Sequence, residues 1–151
     1  MLPKEELIEY VKPILKSQGF LKKRQIWTRA RGEFTDYFII QGSCFSKETY
    51  YVRPSIKVNR LHPNIEYAYG QINTDIRITT KEEILREAEE FFARWDSIEV
   101  LKEKVAEFIE GDKRNPLEKR RAGLVDYEND PVPASECFEL LGNSKELILK
   151  L

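Results

Sequence analysis

Apolar residues recur at helical spacing near the start of the chain. In "KEELIEYVKPILKSQGF" they fall at Leu7, Ile8, Val11, Ile14 and Leu15, which predicts an amphipathic helix. Gly19 follows the last of them and suits the left-handed position beyond a helix end, with Phe20 placed to pack back on it. Pro13 lies inside the pattern and cannot donate to the Glu9 carbonyl, so a kink or a frayed first turn is expected near it.

The period then changes from helical to alternating. "KRQIWTRA" (Lys23–Ala30) reads as a strand ending at the turn Arg31-Gly32-Glu33. "FTDYFIIQGSCF" (Phe34–Phe45) reads as a second, followed by a polar loop. In "YYVRPSIKVN" (Tyr50–Asn59), Tyr50, Val52, Pro54, Ile56 and Val58 face one way, and Tyr51, Arg53, Ser55, Lys57 and Asn59 the other. Pro54 cannot join a ladder as donor, which predicts an edge strand or a bulge. "INTDIRIT" alternates again, with Ile72, Thr74, Ile76 and Ile78 on one side, as a fourth strand.

Helical spacing returns after Thr80. Thr80 and Glu83 form a capping box before the stripe Ile84, Leu85, Ala88, Phe91, Phe92 and Trp95. A break at Asp96-Ser97 precedes a second stripe at Ile98, Leu101, Val105, Phe108 and Ile109, stopped by Gly111. Asn115-Pro116 opens a further helix, "DYENDPVPAS" is a loop, and Ser135 caps a short helix through Leu141. The tail "ELILKL" fits helix or strand. Strands first and helices later predict an α+β fold. The expected form is a roughly four-stranded antiparallel meander, with the N-terminal helix and several C-terminal helices mainly on one face. The 151 residues suit a single domain, 1–151.

Composition narrows the function classes. The chain is 41% hydrophobic and 34% charged, the balance of a globular protein. Its net charge of −1 gives no broad field for nucleic acid, despite basic clusters at Lys22-Lys23-Arg24, Lys113-Arg114 and Lys119-Arg120-Arg121. Those on strands read better as guards of a sheet edge. "MLPKEELIEY" reaches charge by residue 4, so no signal peptide is expected, and no apolar run approaches the roughly 20 residues of a membrane span. Cys44 and Cys137 lack CxxC spacing and read most simply as reduced thiols of a cytoplasmic protein.

No catalytic or metal constellation is legible. The lone histidine, His62, precedes Pro63 in a loop, and no metal-binding or phosphate-cradling motif occurs. No cofactor is expected. Ser43 in "QGSC" lacks the glycine pattern of a nucleophile elbow. Asp36 and Asp75 fall on strands, where pairing with an arginine is the expected role.

The stretch "YFIIQGSCFS" carries the best functional signal. If Phe38, Ile40 and Cys44 face the helices with Val52, Ile56 and Val58, then Tyr37, Ile39, Gln41 and Ser43 face away beside Arg53, Ser55 and Lys57. Both assignments hold only if the connecting loop has an odd number of residues, five being easier than three, and Gly42 forms no bulge. Candidate binding residues are therefore Trp27, Arg29, Tyr37, Gln41, Ser43, Arg53 and Lys57. The competing expectation is a buried Gln41 satisfied by backbone, with Gly42 letting another segment pass.

The Gly19-Phe20 helix end, the basic pair Lys22-Lys23, the strand aromatic Trp27 and the Gln41-Gly42-Ser43 strand resemble a bacterial family, domain of unknown function 4304, over about the first 60 residues. Members often carry a larger polar residue where this chain has Gly42. The resemblance implies a small cytoplasmic bacterial protein and supplies no catalytic residues. The expected function is a non-enzymatic protein-binding module, an immunity-type role being one form. One alternative is a small-ligand binder or enzyme with a pocket between sheet and helices, near Gln41, Ser43 and Asp36 or Asp75. The other is a nucleic-acid binder.

Overall fold

The computed structural model describes residues 1–61, 70–110, 138–140 and 144–151, with backbone alone at 108–110. Helix α1 (Lys4–Ser17) runs through Pro13 without a break. Pro13 is exposed, so water can satisfy the carbonyl it leaves without a donor. The helix ends in a Schellman motif. Gly19, at φ +90°, donates to Lys16, and Phe20 donates to Leu15. Phe20 and Leu15 then enter the core together. At the other end, the Tyr50 hydroxyl donates to the Leu2 carbonyl at 2.7 Å and ties the N-terminus to the sheet.

Among the described residues the sheet has seven antiparallel strands rather than four, still in a meander. They are β1 (Leu21–Lys23), β2 (Ile26–Arg31), β3 (Phe34–Gly42), β4 (Tyr50–Val52), β5 (Ser55–Val58), β6 (Ile72–Thr74) and β7 (Phe138–Leu140). Two of the expected strands are altered. The first, expected over Lys23–Ala30, runs from Ile26 to Arg31 and forms a hairpin with β1, with Lys23 opposite Ile26 and Arg24 at φ +59° in the turn. No glycine or asparagine marks that turn. The third is interrupted at Arg53-Pro54, yet β4 and β5 keep one register on β3: Ile40 faces Val52 and Tyr37 faces Ser55.

Pro54 does not mark an edge, because β5 lies between β3 and β6. The Arg53 amide donates to Ile39 on β3, so by alternation the missing Pro54 donor falls on the β6 side. There the ladder is carried by Thr74 donating to the Pro54 carbonyl and Ile76 donating to the Val52 carbonyl.

Strand β7 replaces part of the short helix expected to end at Leu141. Phe138 and Leu140 pair with Thr74 and Ile72 and turn inward around Glu139. A three-residue alternation is too short to outweigh a capping signal in sequence, and pairing with β6 decides it. The tail is helical: α4 (Ser144–Leu149) buries Ser144 and Ile148, four residues apart, and the Leu151 carbonyl accepts from Lys102.

Helices α2 (Lys81–Arg94) and α3 (Ile98–Glu110) follow the sequence stripes. The Thr80 side chain accepts from the Glu83 amide, as the capping box requires. Leu7, Val11 and Leu15 of α1, Ile84, Ala88 and Phe91 of α2, and Leu101 and Val105 of α3 join one apolar cluster with Trp27, Phe34, Phe38, Ile40, Val52, Ile56, Val58, Ile72 and Leu140. Register places every one of these strand residues on the same sheet face. The class is α+β, as expected. His62, the clusters at 113–114 and 119–121, the helix expected from 115, the loop at 126–135 and Cys137 lie outside the described residues.

Two glycines should respond differently to substitution. A Cβ on Gly70 would overlap the Ile56 carbonyl and the Lys57 amide nitrogen, which are backbone and cannot rotate away. Gly70→Ala should cost about 2–3 kcal/mol in urea unfolding. Gly19→Ala meets only the Arg29 Cδ at 3.8 Å and should cost about 1 kcal/mol, through its positive φ. Equal costs at the two sites would show that close approach is not what Gly70 serves.

Tyr50 gives a pH test. Burial, then the carboxylates of Glu5 and Glu6, pushes its phenol above the ordinary 10.0. The neutral phenol is thus favoured by folding. Its contribution is complete below pH 10 and fades as pH rises through the raised value. Tyr50→Phe should lose about 1 kcal/mol at pH 7 with the hydroxyl bond. The variant should also show less alkaline loss of stability than wild type. An unchanged alkaline slope would exclude Tyr50 as its source.

Candidate functional site

A short turn fixes the first feature of the site. Gly32, at φ +58°, and Glu33 connect β2 to β3, so Arg31 faces Phe34 and Arg29 faces Asp36. Arg29, Arg31 and Asp36 therefore share the inner sheet face with Trp27 and Phe38. Asp36 is 0% exposed, and the arginines are 22% and 27% exposed.

The carboxylate is saturated by this pair. Asp36 Oδ2 accepts from Arg29 Nε at 3.0 Å, Arg29 Nη2 at 2.8 Å and Arg31 Nε at 2.8 Å. Its Oδ1 accepts from Arg31 Nη2 at 3.0 Å. Each arginine also reaches the end of a helix. Arg31 Nη1 donates to the Trp95 carbonyl at 2.6 Å, beyond α2. Arg29 Nη1 donates to the Gln18 carbonyl at 3.4 Å, beyond α1. Carbonyls at helix ends lack intrahelical donors and carry partial negative charge, so both contacts are favourable. Arg29 also stacks over Phe20 at 4.4 Å, and Arg31 lies over Phe34 at 5.0 Å.

Beside this triad lies a cleft of about 430 Å³ between the ends of α1 and α2 and strand β2. Gln18, Arg29, Arg31, Glu89, Phe92, Ala93 and Asp96 line it. Gln18 Nε2 donates to Glu89 Oε1 at 2.9 Å across one wall. Sequence reasoning singled out Arg29 but not Glu89 or Asp96. Those two sit on and after a helix more than 50 residues away, where they read as solvated charges.

The second feature lies on the opposite sheet face. Tyr37, Gln41, Arg53 and Lys57 share that face in the register, and Ser43 continues it beyond the end of β3. The Ser43 amide donates to Thr49, leaving five residues, 44–48, in the loop. The register passes Gly42 without a bulge. A Cβ on Gly42 would make an ordinary 3.6 Å contact with Lys4 Nζ, so space does not demand glycine there.

Gln41 is exposed, not buried, and its Oε1 accepts from Arg53 Nη1 at 2.9 Å. Arg53 Nε donates to Asp75 Oδ1 at 3.0 Å, and its guanidinium lies over the Tyr51 ring at 4.5 Å. Tyr37 and Lys57 are half-buried farther along this face. At the loop tip, Phe45 is 94% exposed, and its amide donates to Ser43 Oγ at 3.1 Å.

Two candidates do not join this face. Trp27 is a core residue packed edge-on against Phe38, and Arg29 belongs to the triad. They alternate with Thr28, and the hairpin register turns both toward the helices. Lys22 and Lys23 lie on edge strand β1, with Lys22 Nζ 5.5 Å from the centre of the Trp27 ring. Among the described residues no cluster of His, Cys, Asp or Glu is arranged to hold a metal ion. Among them also, no helix is long and apolar enough to cross a membrane.

The triad has an asymmetry that mutation can read. Removing Asp36 leaves two guanidinium groups facing each other, whereas removing one arginine leaves the carboxylate its other partner. Asp36→Asn should cost about 3–5 kcal/mol in chemical unfolding. Arg29→Met should cost less, because its head is partly hydrated and its stem packing is kept. A larger loss from Arg29→Met would overturn this ordering.

A model of the family described as Domain of unknown function (DUF4304) matches residues 11–86, half of the chain. The match runs from within α1 into α2, beyond the first 60 residues that carry the sequence resemblance. It includes the triad and the Gln41–Arg53 face, and it stops short of Glu89 and Asp96. No curated protein and no solved structure matches the chain. The chain belongs to the family Domain of unknown function (DUF4304).

Proposed function

We propose that the chain is a protein-binding module whose contact surface is the tip of the β3–β4 hairpin and the face behind it. The observation that carries this reading is Phe45. A phenylalanine at 94% exposure has lost almost none of its contact with water on folding. Transfer into a partner's apolar pocket would bury a large aromatic surface.

Its surroundings support the same reading. Ser43 holds the tip backbone, and the paired strands beneath it limit the ordering that binding must add. On the outer face of the same hairpin Arg53 stacks over Tyr51 and is positioned by Gln41 and Asp75. Aromatic residues and arginine are the types enriched at the energetic centres of interfaces. The partner this patch suits is a folded protein with an apolar pocket and polar groups at its rim. Within this class, an immunity-type role in a bacterial cytoplasm rests on the small size of the chain and its net charge of −1.

The test is capture of a partner from the native host on the immobilised full chain, followed by affinity measurement with that partner purified. Phe45→Ser and Arg53→Ala should each weaken binding by at least about tenfold. Phe45→Ser should leave the unfolding midpoint unchanged, since the side chain touches little in the free protein. Wild-type affinity in both variants, or the absence of any captured protein, would overturn the proposal.

A further inference from the structure

The cleft between the ends of α1 and α2 has a polarity that the hairpin surface does not share. Its floor is cationic. Arg29 and Arg31 bring two positive charges and Asp36 only one negative, so the triad retains one positive charge. Asp36 and the two helix-end carbonyls occupy three N–H groups on each guanidinium. Two N–H groups remain on each. Both arginines line the cleft, and neither is fully buried.

The rim is acidic. Glu89 and Asp96 are exposed and line the same cleft, and Gln18 and the largely buried Phe92 complete this part of its lining. A cationic floor under an acidic rim sorts ligands by charge. A polyanion such as phosphate would meet the arginines but be repelled by Glu89 and Asp96. A simple cation would meet the rim but be repelled by the floor. A molecule with one carboxylate and one ammonium group satisfies both. The volume, about 430 Å³, lies in the range of small-molecule sites.

We propose that this cleft is a binding site for a small zwitterion of the amino-acid type. Its carboxylate accepts from the remaining N–H groups of Arg29 and Arg31. Its ammonium lies toward Glu89 and Asp96, and an apolar side chain rests on Phe92. Guanidinium groups suit a carboxylate because their planar N–H edges can pair with both of its oxygens. Asp36 acts here as a positioning residue: it holds both guanidinium planes in place before any ligand arrives. This site is independent of the hairpin tip.

The test is a titration of the full chain followed by NMR. The signals followed are the side-chain Nε–H groups of Arg29 and Arg31 and the backbone amides of Glu89, Ala93 and Asp96. The probes are glycine, L-leucine and L-phenylalanine, with acetate, ethylammonium and inorganic phosphate as single-charge-type controls. At least one amino acid should give saturable shifts at these signals, with each control at least about tenfold weaker. Glu89→Gln combined with Asp96→Asn changes only exposed side chains. It should weaken amino-acid binding about tenfold and strengthen phosphate binding. No saturable shift from any amino acid, shifts confined to other regions, or phosphate or acetate binding as tightly as the amino acids would each overturn the proposal. So would a double variant that keeps wild-type selectivity.

Discussion

Asp36 is the constraint around which the described fold is arranged. A carboxylate with no solvent exposure must be compensated by hydrogen bonds from charged donors. Here both compensating groups come from the adjacent strand, two residues apart and on the same face. Because the guanidinium groups are large, each has N–H groups left over after serving Asp36. Those reach the carbonyls that close α1 and α2. One buried negative charge thus places two arginines, and the arginines place two helix ends against the sheet. The cleft exists because two helices terminate over the same pair of side chains.

The sheet keeps two separate chemistries through one unbroken register. The pairing of β3 with β4 and β5 is the same on both sides of Pro54. Phe34, Asp36, Phe38 and Ile40 consequently stay inside, and Tyr37, Ile39 and Gln41 stay on the other face. A shift of one residue would exchange the two sets and expose a line of large apolar side chains. Pro54 is tolerated in an interior strand because its missing donor falls where β6 supplies donors of its own.

Much of this was legible in advance, and the reasons are specific. The stripe at Leu7, Val11 and Leu15 repeats often enough to define a helix face, and Gly19 marks its end. The odd-length loop followed from requiring Ile40 and Val52 to be buried together. The Arg29–Asp36 pair was not legible: a three-residue turn at Arg31-Gly32-Glu33 would set Arg29 opposite Thr35, whereas the strand runs on to Arg31 and the turn is Gly32-Glu33 alone. The hairpin at Arg24 was hidden because a residue other than glycine or asparagine takes the positive φ. Strand β7 was hidden because its three residues gain stability only by pairing with β6.

The sequence by itself determined helices α1, α2 and α3, the two faces of the long strand and the family, because these depend on periodicity and neighbouring residues. Tertiary structure alone decided which face the charged residues of β2 serve. Trp27, Arg29 and Arg31 alternate as the side chains of an exposed strand face would, yet the register turns them inward. It also decided that Glu89 and Asp96 stand beside Arg29 and Arg31. Charges distant in sequence become one polarised cleft only when two helix ends are brought over one strand. That meeting depends on long-range packing and on the burial of a single carboxylate.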